Sequence, residues 1–295
     1  MSTINRTLSI ASQRALDVFL AKITPFNAFS RNYSAEAVAK GSAVQVPLIS
    51  AITATTFNST YTESGGTLNT VTVTMSNHRI ATVDITDVQM LNTDVLVENF
   101  APQLGSALAK IIQTDVWGLV LTTNYGNATL TTSSTVYTKT QVRQLRTALA
   151  KNNVDTSQCS FVCNEDIMDA LLADTNIIQA FQYGGSEAIR EGKIPRLLGV
   201  NVFPTNIMPT NSITLYGFMA HPDAIAIACR AFAPVVPDGA YEDFQTVADP
   251  SGITLNSRLL YNASTGKRHW SIECLMGYSV GVSKGLVIAA GPDSK

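Results

Sequence analysis

Charge is what this 295-residue sequence has least of. Asp, Glu, Lys and Arg together supply 14% of its residues and apolar side chains 45%, against roughly 25% charged residues in an ordinary soluble domain. A surface so poor in charge is unusually apolar unless partners cover it. The alternative is a β-rich chain whose polarity comes from Thr and Ser hydroxyls. The net charge of −2 excludes a global basic field that recruits nucleic acid. Three histidines (His78, His221, His269) leave little material for a metal or catalytic centre, and no two have the i, i+4 spacing of a helical metal pair. Four cysteines (Cys159, Cys163, Cys229, Cys274) are too few and too scattered for a disulfide framework. Cys159 and Cys163, on one strand face, would lie about 13 Å apart, too far to bridge, so buried free thiols are expected. No apolar run is long enough for a transmembrane helix, and the N-terminus lacks the basic region and apolar core of a signal segment. No membrane partner is expected, and the Asn-X-Ser/Thr triplets at Asn32, Asn58, Asn127 and Asn262 carry no glycosylation reading.

Motifs of known chemistry are missing too. Gly281-Val-Ser-Lys-Gly285 has the spacing of a nucleophile elbow around Ser283. An elbow needs a following helix and a downstream histidine, and only Asp293 is left. Ser264-Thr-Gly-Lys267 matches a short Ser-X-X-Lys pattern inside a turn, without its companion motifs. Gly266-Lys267 lacks the upstream glycine of a phosphate cradle, and no Gly-X-Gly-X-X-Gly follows a strand. The carboxylate pairs Glu242/Asp243 and Asp84/Asp87 sit in no apolar pocket. No catalytic, cofactor or metal site is expected; a hydrolase using Ser283 is the remaining enzymatic alternative.

What is present is pattern. Leu8, Ala11, Ala15, Phe19 and Ile23 form the stripe of an amphipathic helix over 8–23. A polar arm leads to a long hairpin. Val44, Val46 and Leu48 alternate with polar or small residues, with Ile52 and Ala54 extending the strand. Val71, Val73 and Met75, then Ala81, Val83 and Ile85, alternate on the return, and Gly65-Gly66 suits the turn. Leu104, Ala107, Leu108, Ile111, Ile112, Val116, Leu119 and Val120 keep helical spacing for nearly five turns after Pro102, ending at Asn124-Tyr-Gly126. Beyond 135, α and β signals alternate. A helix is predicted over 139–151, a buried strand over 160–163 and a helix capped by Asn164. Strands follow at 198–203 and 213–218, and Ile225–Cys229 fits helix or strand. A second hairpin, 252–261 with 267–276, precedes a final strand over 278–290. Charge is uneven along the chain. Residues 1–45 carry Arg6, Arg14, Lys22, Arg31 and Lys40 against Asp17 and Glu36, whereas 46–105 carry Arg79 against Glu63, Asp84, Asp87, Asp94 and Glu98. Attraction between neighbouring subunits is one reading of this contrast and chance is the other.

The order of these parts resembles the tailed-phage major capsid protein family, whose α+β fold is shared with encapsulin compartments and the herpesvirus shell floor. Four stretches are similar to recurring family passages: Asn164-Glu-Asp-Ile-Met-Asp-Ala-Leu-Leu172; Gly192-Lys-Ile-Pro-Arg-Leu-Leu-Gly199 with Val200–Phe203 and Asn206–Pro209; Leu215–Phe218 with His221–Ile225; and Trp270–Cys274 through Gly277–Gly281. The resemblance implies an N-terminal arm at 1–43 and an extended loop at 44–88. It places a peripheral domain with a long spine helix at 89–135 and 250–275, and an axial domain at 136–249 and 276–291. Tyr61, Glu63, Gly65 and Gly66 would form the loop tip that touches a neighbour, and Arg6, Arg14 and Lys22 would face DNA.

It further implies a major capsid protein that self-assembles through pentamers and hexamers into an icosahedral procapsid, which expands as double-stranded DNA is packaged by non-specific contact. A separate scaffold and a portal would be partners, the location would be the virion capsid, and assembly would take place in the host cytoplasm. An encapsulin-like compartment with protein cargo and a tail-tube protein are the alternatives. Some members join subunits through a loop lysine and a peripheral asparagine. Residues 52–79 hold no lysine, so that chemistry does not carry over to Asn262. Some members also carry a scaffold domain of about a hundred residues ahead of the arm; none is expected here, so assembly would need a separate scaffold or none.

Overall fold

The computed structural model describes residues 3–23, 26, 30–32, 43–49, 56–58, 68–91, 95–177, 194–210, 213–232, 242–250 and 252–292. Helix α1 (Thr3–Ile23) starts earlier than its apolar stripe, and the stripe is what it buries: Leu8, Ala11, Ala15, Phe19 and Ile23. Helix α3 (Ala101–Trp117) opens with Pro102 in its first turn, where no N–H is required. Its 17 residues give a rod of about 25 Å. It ends sooner than the spacing predicts. Leu119 and Val120 belong to a turn, and a separate short helix α4 (Thr122–Tyr125) stops at Gly126, whose φ of 84° a glycine adopts freely. Helices α1 and α3 lie against each other at Gly105, where a Cβ would stand 2.4 Å from the carbonyl oxygen of Ala15. The Gln113 amide then donates to the carbonyl of Lys22 (2.8 Å), joining the far ends of the two helices.

Two six-stranded sheets flank this helical pair. The first is organised by β13 (Lys267–Val280). Strand β4 (Asn77–Thr86) pairs with residues 267–276 of β13. Strands β12 (Thr254–Asn262) and β10 (Ile225–Arg230) pair in turn with residues 267–273 and 275–280. Strand β11 (Asp243–Ala248) extends beyond β12, and β1 (Ser30–Asn32) runs parallel to β10. The second sheet has the order β5-β14-β9-β6-β8-β7. Its strands are β5 (Leu130–Thr131), β14 (Leu286–Ala290), β9 (Leu215–Ala220), β6 (Ser160–Asn164), β8 (Val200–Thr205) and β7 (Arg196–Leu197).

Both faces of the second sheet are buried, so β6 and β14 read as continuous apolar runs. Val162, Leu286 and Ile288 face the helices α1 and α3. Phe161, Cys163 and Val287 face α5 (Lys139–Lys151) and α6 (Glu165–Ala173). Both of those helices are capped as their sequences require. Thr138 and Gln141 form a reciprocal capping box, and Asn164 accepts from the N–H of Ile167.

Three sequence expectations change. The return arm of the long hairpin stops at β3 (Leu68–Thr74), which pairs antiparallel with β2 (Ala43–Ile49). The alternation at 81–85 belongs to β4, on β13. Period two alone cannot distinguish one long strand from two strands of different sheets. The final strand also divides. β13 ends at Val280, a turn over 281–285 crosses between sheets, and β14 belongs to the second sheet. Ile225–Cys229 is strand, and Leu198, expected in a strand, sits with Gly199 at a positive-φ turn between β7 and β8. Strands β10 and β11 share the sheet of β12 and β13, so this sheet draws on chain assigned above to both the axial and peripheral portions.

Candidate assembly surface

The hairpin β2–β3 is seated on the first sheet by an apolar root. Val44, Val46, Val73 and Met75 bury against Ala226 and Ala228 of β10, with Leu275 of β13 alongside. Gln45, Pro47, Thr72 and Thr74, on the alternate positions, are exposed. Gly277 lets the root in, since a Cβ there would lie 2.6 Å from the carbonyl oxygen of Thr74. The N–H of Ser76 donates back to that carbonyl (3.1 Å), and the tight turn delivers the chain into β4. The expected tip residues Tyr61, Glu63, Gly65 and Gly66 lie outside the described residues.

The face of the first sheet turned away from α3 mixes charge with exposed apolar groups. Glu273 is 3% exposed yet carries a carboxylate. Arg258 and His78 Nε2 each stand 2.9 Å from its Oε2, and the hydroxyl of Ser271 donates to Oε1 at 3.4 Å. Phe232 packs on both the Arg258 guanidinium and the His78 ring. Toward the hairpin end of β13, His269 meets Asp84 on this face, while Arg268, opposite Ile85 and Tyr261 and so on the other face, bridges Glu242 and Asp87. The hydrogen bond that Arg268 donates to Glu242 is the main cause that raises it above the ordinary guanidinium value. Around these pairs Ile80 (52%), Tyr261 (46%), and Val88 (78%) and Leu91 (86%) of α2 (Asp87–Leu91) remain exposed. Val88 and Leu91 are three apart, so they share one side of that single helical turn. On the opposite face Arg79 holds Asp115 of α3 with two hydrogen bonds, of 2.6 and 2.9 Å, locking sheet to helix.

The helical layer is net basic, with Arg14, Lys22 and Lys110 against Asp17 and Asp115. Arg14 and Lys22 lie on the exposed side of α1; the side chain of Arg6 is not described. Lys22 and Lys110, from α1 and α3, line a cavity of about 420 Å³ with Ser106, Gln113, Asn206 and one carboxylate, Glu165. A second cavity of about 400 Å³ shares Glu165, Thr205 and Asn206 and continues across the ends of β6 and β8. Lys110 was not a sequence candidate, because only the packing of α3 on α1 sets it beside Lys22.

Among the described residues no group of three or more His, Cys, Asp or Glu side chains is placed to hold a metal, and no helix is long and apolar enough to cross a membrane. The chain does bring His221 and Asp223 near Ser283, which spacing along the sequence does not reveal. The N–H of His221 donates to the carbonyl of Gly285, and that of Val282 to the carbonyl of Asp223. The imidazole serves as a cap: Nδ1 accepts from the N–H of Asp223 (3.3 Å). No hydrogen bond joins it to Ser283 among the described residues. What the surface offers is area, a seated hairpin and paired charges.

The family model described as phage capsid protein matches residues 77–270. The chain belongs to the phage capsid protein family. The matched span runs from the first residue of β4 into β13, and so includes α3, His78 and Arg258 beside Glu273, and most of the second sheet. Solved structures extend the likeness to nearly the whole chain. A chain of Mycobacterium phage Che8 is 16% identical with a TM-score of 0.59, over 89% of each chain. The capsid of cyanophage P-SCSP1u gives 12% identity and a TM-score of 0.62, over 90% of this chain and 86% of that one. A virus-like particle from Pyrococcus furiosus gives 11% identity and a TM-score of 0.55, over 95% and 97%. No curated protein sequence matches. At such identities the structures establish the fold, the tailed-phage major capsid fold, and family membership makes this chain a capsid, that is a structural, protein of the virion.

Proposed function

We propose that this capsid protein closes into an icosahedral shell of pentamers and hexamers around the double-stranded DNA genome of a tailed phage, and has no catalytic role. The observation that carries the reading is the seated hairpin. Its strands have one apolar face, and two strands alone are marginal in water. The root is covered by β10 and β13, and a neighbouring subunit supplies cover for the rest. In this reading 1–43 is an arm and 44–88 a clasp whose tip is Tyr61, Glu63, Gly65 and Gly66. The portions 89–135 with 250–275, and 136–249 with 276–291, are the peripheral and axial parts of the shell wall. The exposed apolar residues on and beside the first sheet and the flanking ion pairs give such contacts both area and register, each weak and summed over a closed symmetric assembly.

Deleting Ser59–Asn69 tests the clasp. The expected product is a subunit with native circular dichroism and thermal midpoint that forms no closed shells; intact shells from the deletion contradict the reading.

Arg14, Lys22 and Lys110 place positive charge on the helical layer, which favours DNA on that side by sequence-independent phosphate contact. Neutralising Arg6, Arg14 and Lys22 together is expected to lower the DNA retained by filled particles and to flatten its dependence on salt. Unchanged retention and an unchanged salt slope assign the DNA contact elsewhere. Assembly in the host cytoplasm with a separate scaffold and a portal completes the proposal. An encapsulin-like cellular compartment built on the same fold is the second reading. Nucleic acid recovered from purified particles distinguishes the two, since a compartment would yield protein cargo instead.

A further inference from the structure

Two thiols that shell building does not use meet in the middle of the first sheet. Cys229 of β10 and Cys274 of β13 bring their sulfurs to 3.4 Å, and each residue is 1% exposed. Cys229 stands opposite Met276, so Cys274 is its diagonal neighbour, a relation that in a flat ladder separates residues by about 7–8 Å. A break in the sheet accounts for the approach. Glu273 is opposite Asn256 of β12 and Leu275 is opposite Arg230 of β10. Cys274 lies in the step between, with neither strand opposite it on that edge, and the Cys229 sulfur fills the step. Thr254, the half-buried first residue of β12, borders it. Its N–H reaches the Cys229 sulfur at 3.5 Å, and its carbonyl accepts from the thiol at 3.6 Å.

We propose that Cys229 and Cys274 are an oxidisable dithiol that closes to an intrachain disulfide on meeting a peroxide, joining β10 to β13 across this step. The Cys229 thiolate attacks one oxygen of hydrogen peroxide. A sulfur–oxygen bond forms, the oxygen–oxygen bond breaks, and the departing hydroxide takes the proton Cys229 gave up, leaving as water. Cys274 then attacks the sulfenic sulfur. The sulfur–sulfur bond forms, hydroxide leaves, and with the Cys274 proton it becomes a second water. Two thiols and one peroxide give one disulfide and two waters; the sulfurs lose two electrons and the peroxide oxygens gain them.

The order of attack follows from the surroundings. The Cys274 thiol hydrogen-bonds to Cys229 and lowers it, against the opposing effect of burial, and the Thr254 N–H adds to the lowering; the same contact and burial raise Cys274. Closure must bring the sulfurs from 3.4 Å to about 2.05 Å. The end of β10 can supply that movement, because Cys229 is the last residue but one of the strand. The remaining thiols are internal controls. Burial pushes Cys159 up to about 11 and Cys163 up to about 12, and both lie in the separate core of the second sheet.

The inference does not depend on the shell reading, and it is tested on the intact chain. The native protein is treated with hydrogen peroxide, quenched, unfolded, alkylated and digested. The expected result is a peptide pair linked through Cys229 and Cys274, with Cys159 and Cys163 alkylated. The thermal midpoint of the treated protein rises by several degrees over the reduced form, because the closed loop restricts the unfolded chain. Cys274→Ser abolishes the link and the midpoint rise, and leaves at Cys229 a sulfenic acid that a 1,3-dione traps. Four alkylated thiols after treatment, oxidation of Cys229 to sulfinic acid without a link, or a link through Cys159 or Cys163 would each overturn the proposal.

Discussion

Glu273 puts a carboxylate only 3% exposed in the middle of a strand, between Arg258 and His78. Removing one partner of a buried pair leaves the other charge uncompensated, whereas replacing both by apolar groups of similar volume can be nearly neutral. Glu273→Ala is therefore expected to destabilise the unassembled subunit by about 3–5 kcal/mol in chemical denaturation. The double variant Arg258→Met with Glu273→Leu is expected to recover most of that loss. Equal losses in the single and double variants would mean that the pair contributes through the packing of Arg258 on Phe232 and, at 5.9 Å, on the ring of Phe244 of β11, and not through charge. Nothing in the local sequence marks Glu273 as buried. Ser271-Ile-Glu-Cys274 alternates as any half-exposed strand does, and the covering residues come from 41 positions upstream at Phe232 and from β4.

At the scale of elements, the joint between α5 and α6 rests on one acid. Asp174, just past α6, accepts from the N–H of Lys139 in the first turn of α5 (3.0 Å) and from the N–H and side chain of Asn176 (3.0 and 3.1 Å). Burial alone would raise its carboxyl, but these donors outweigh it and hold Asp174 below the ordinary carboxylate value. The lowered folded value fixes the sign. Its contribution to stability is full above the unfolded carboxylate pKa and is lost as pH falls through the folded one. Asp174→Asn keeps an acceptor oxygen and loses the charge. It is expected to be less stable than the parent at neutral pH and to converge with it in acid; a gap that persists at low pH contradicts an electrostatic joint.

Elements were the most legible level of the sequence. The stripe from Leu8 to Ile23, the helix over 139–151 and the Asn164 cap each depend on neighbours within a few residues, and each is found where periodicity and capping chemistry put it. Pairing was less legible. Whether Val71–Ile85 is one strand or two turns on the partner strand, and β13 lies nearly two hundred residues downstream. The same limit hid the meeting of Cys229 with Cys274 and the cavity that Lys22 shares with Lys110.

For the whole molecule, the two faces differ in kind. The helical layer of α1 and α3 shows Arg14, Lys22 and Lys110, while the outer face and end of the first sheet show carboxylate-rich ion pairs beside exposed Ile80, Val88 and Leu91. A chain with 14% charged residues is short of charge for a free monomer, and a shell wall explains the shortage by covering its edges. The fold was read from the order of parts over the full length, whereas the candidate contact residues of the loop tip were read from the resemblance and one turn signal and lie outside the described structure. The most direct measurement is electron microscopy of the purified chain, alone and with its cognate scaffold or lysate. Closed shells, or rings of five and six, are the predicted result; a monodisperse monomer under every one of those conditions would contradict the account.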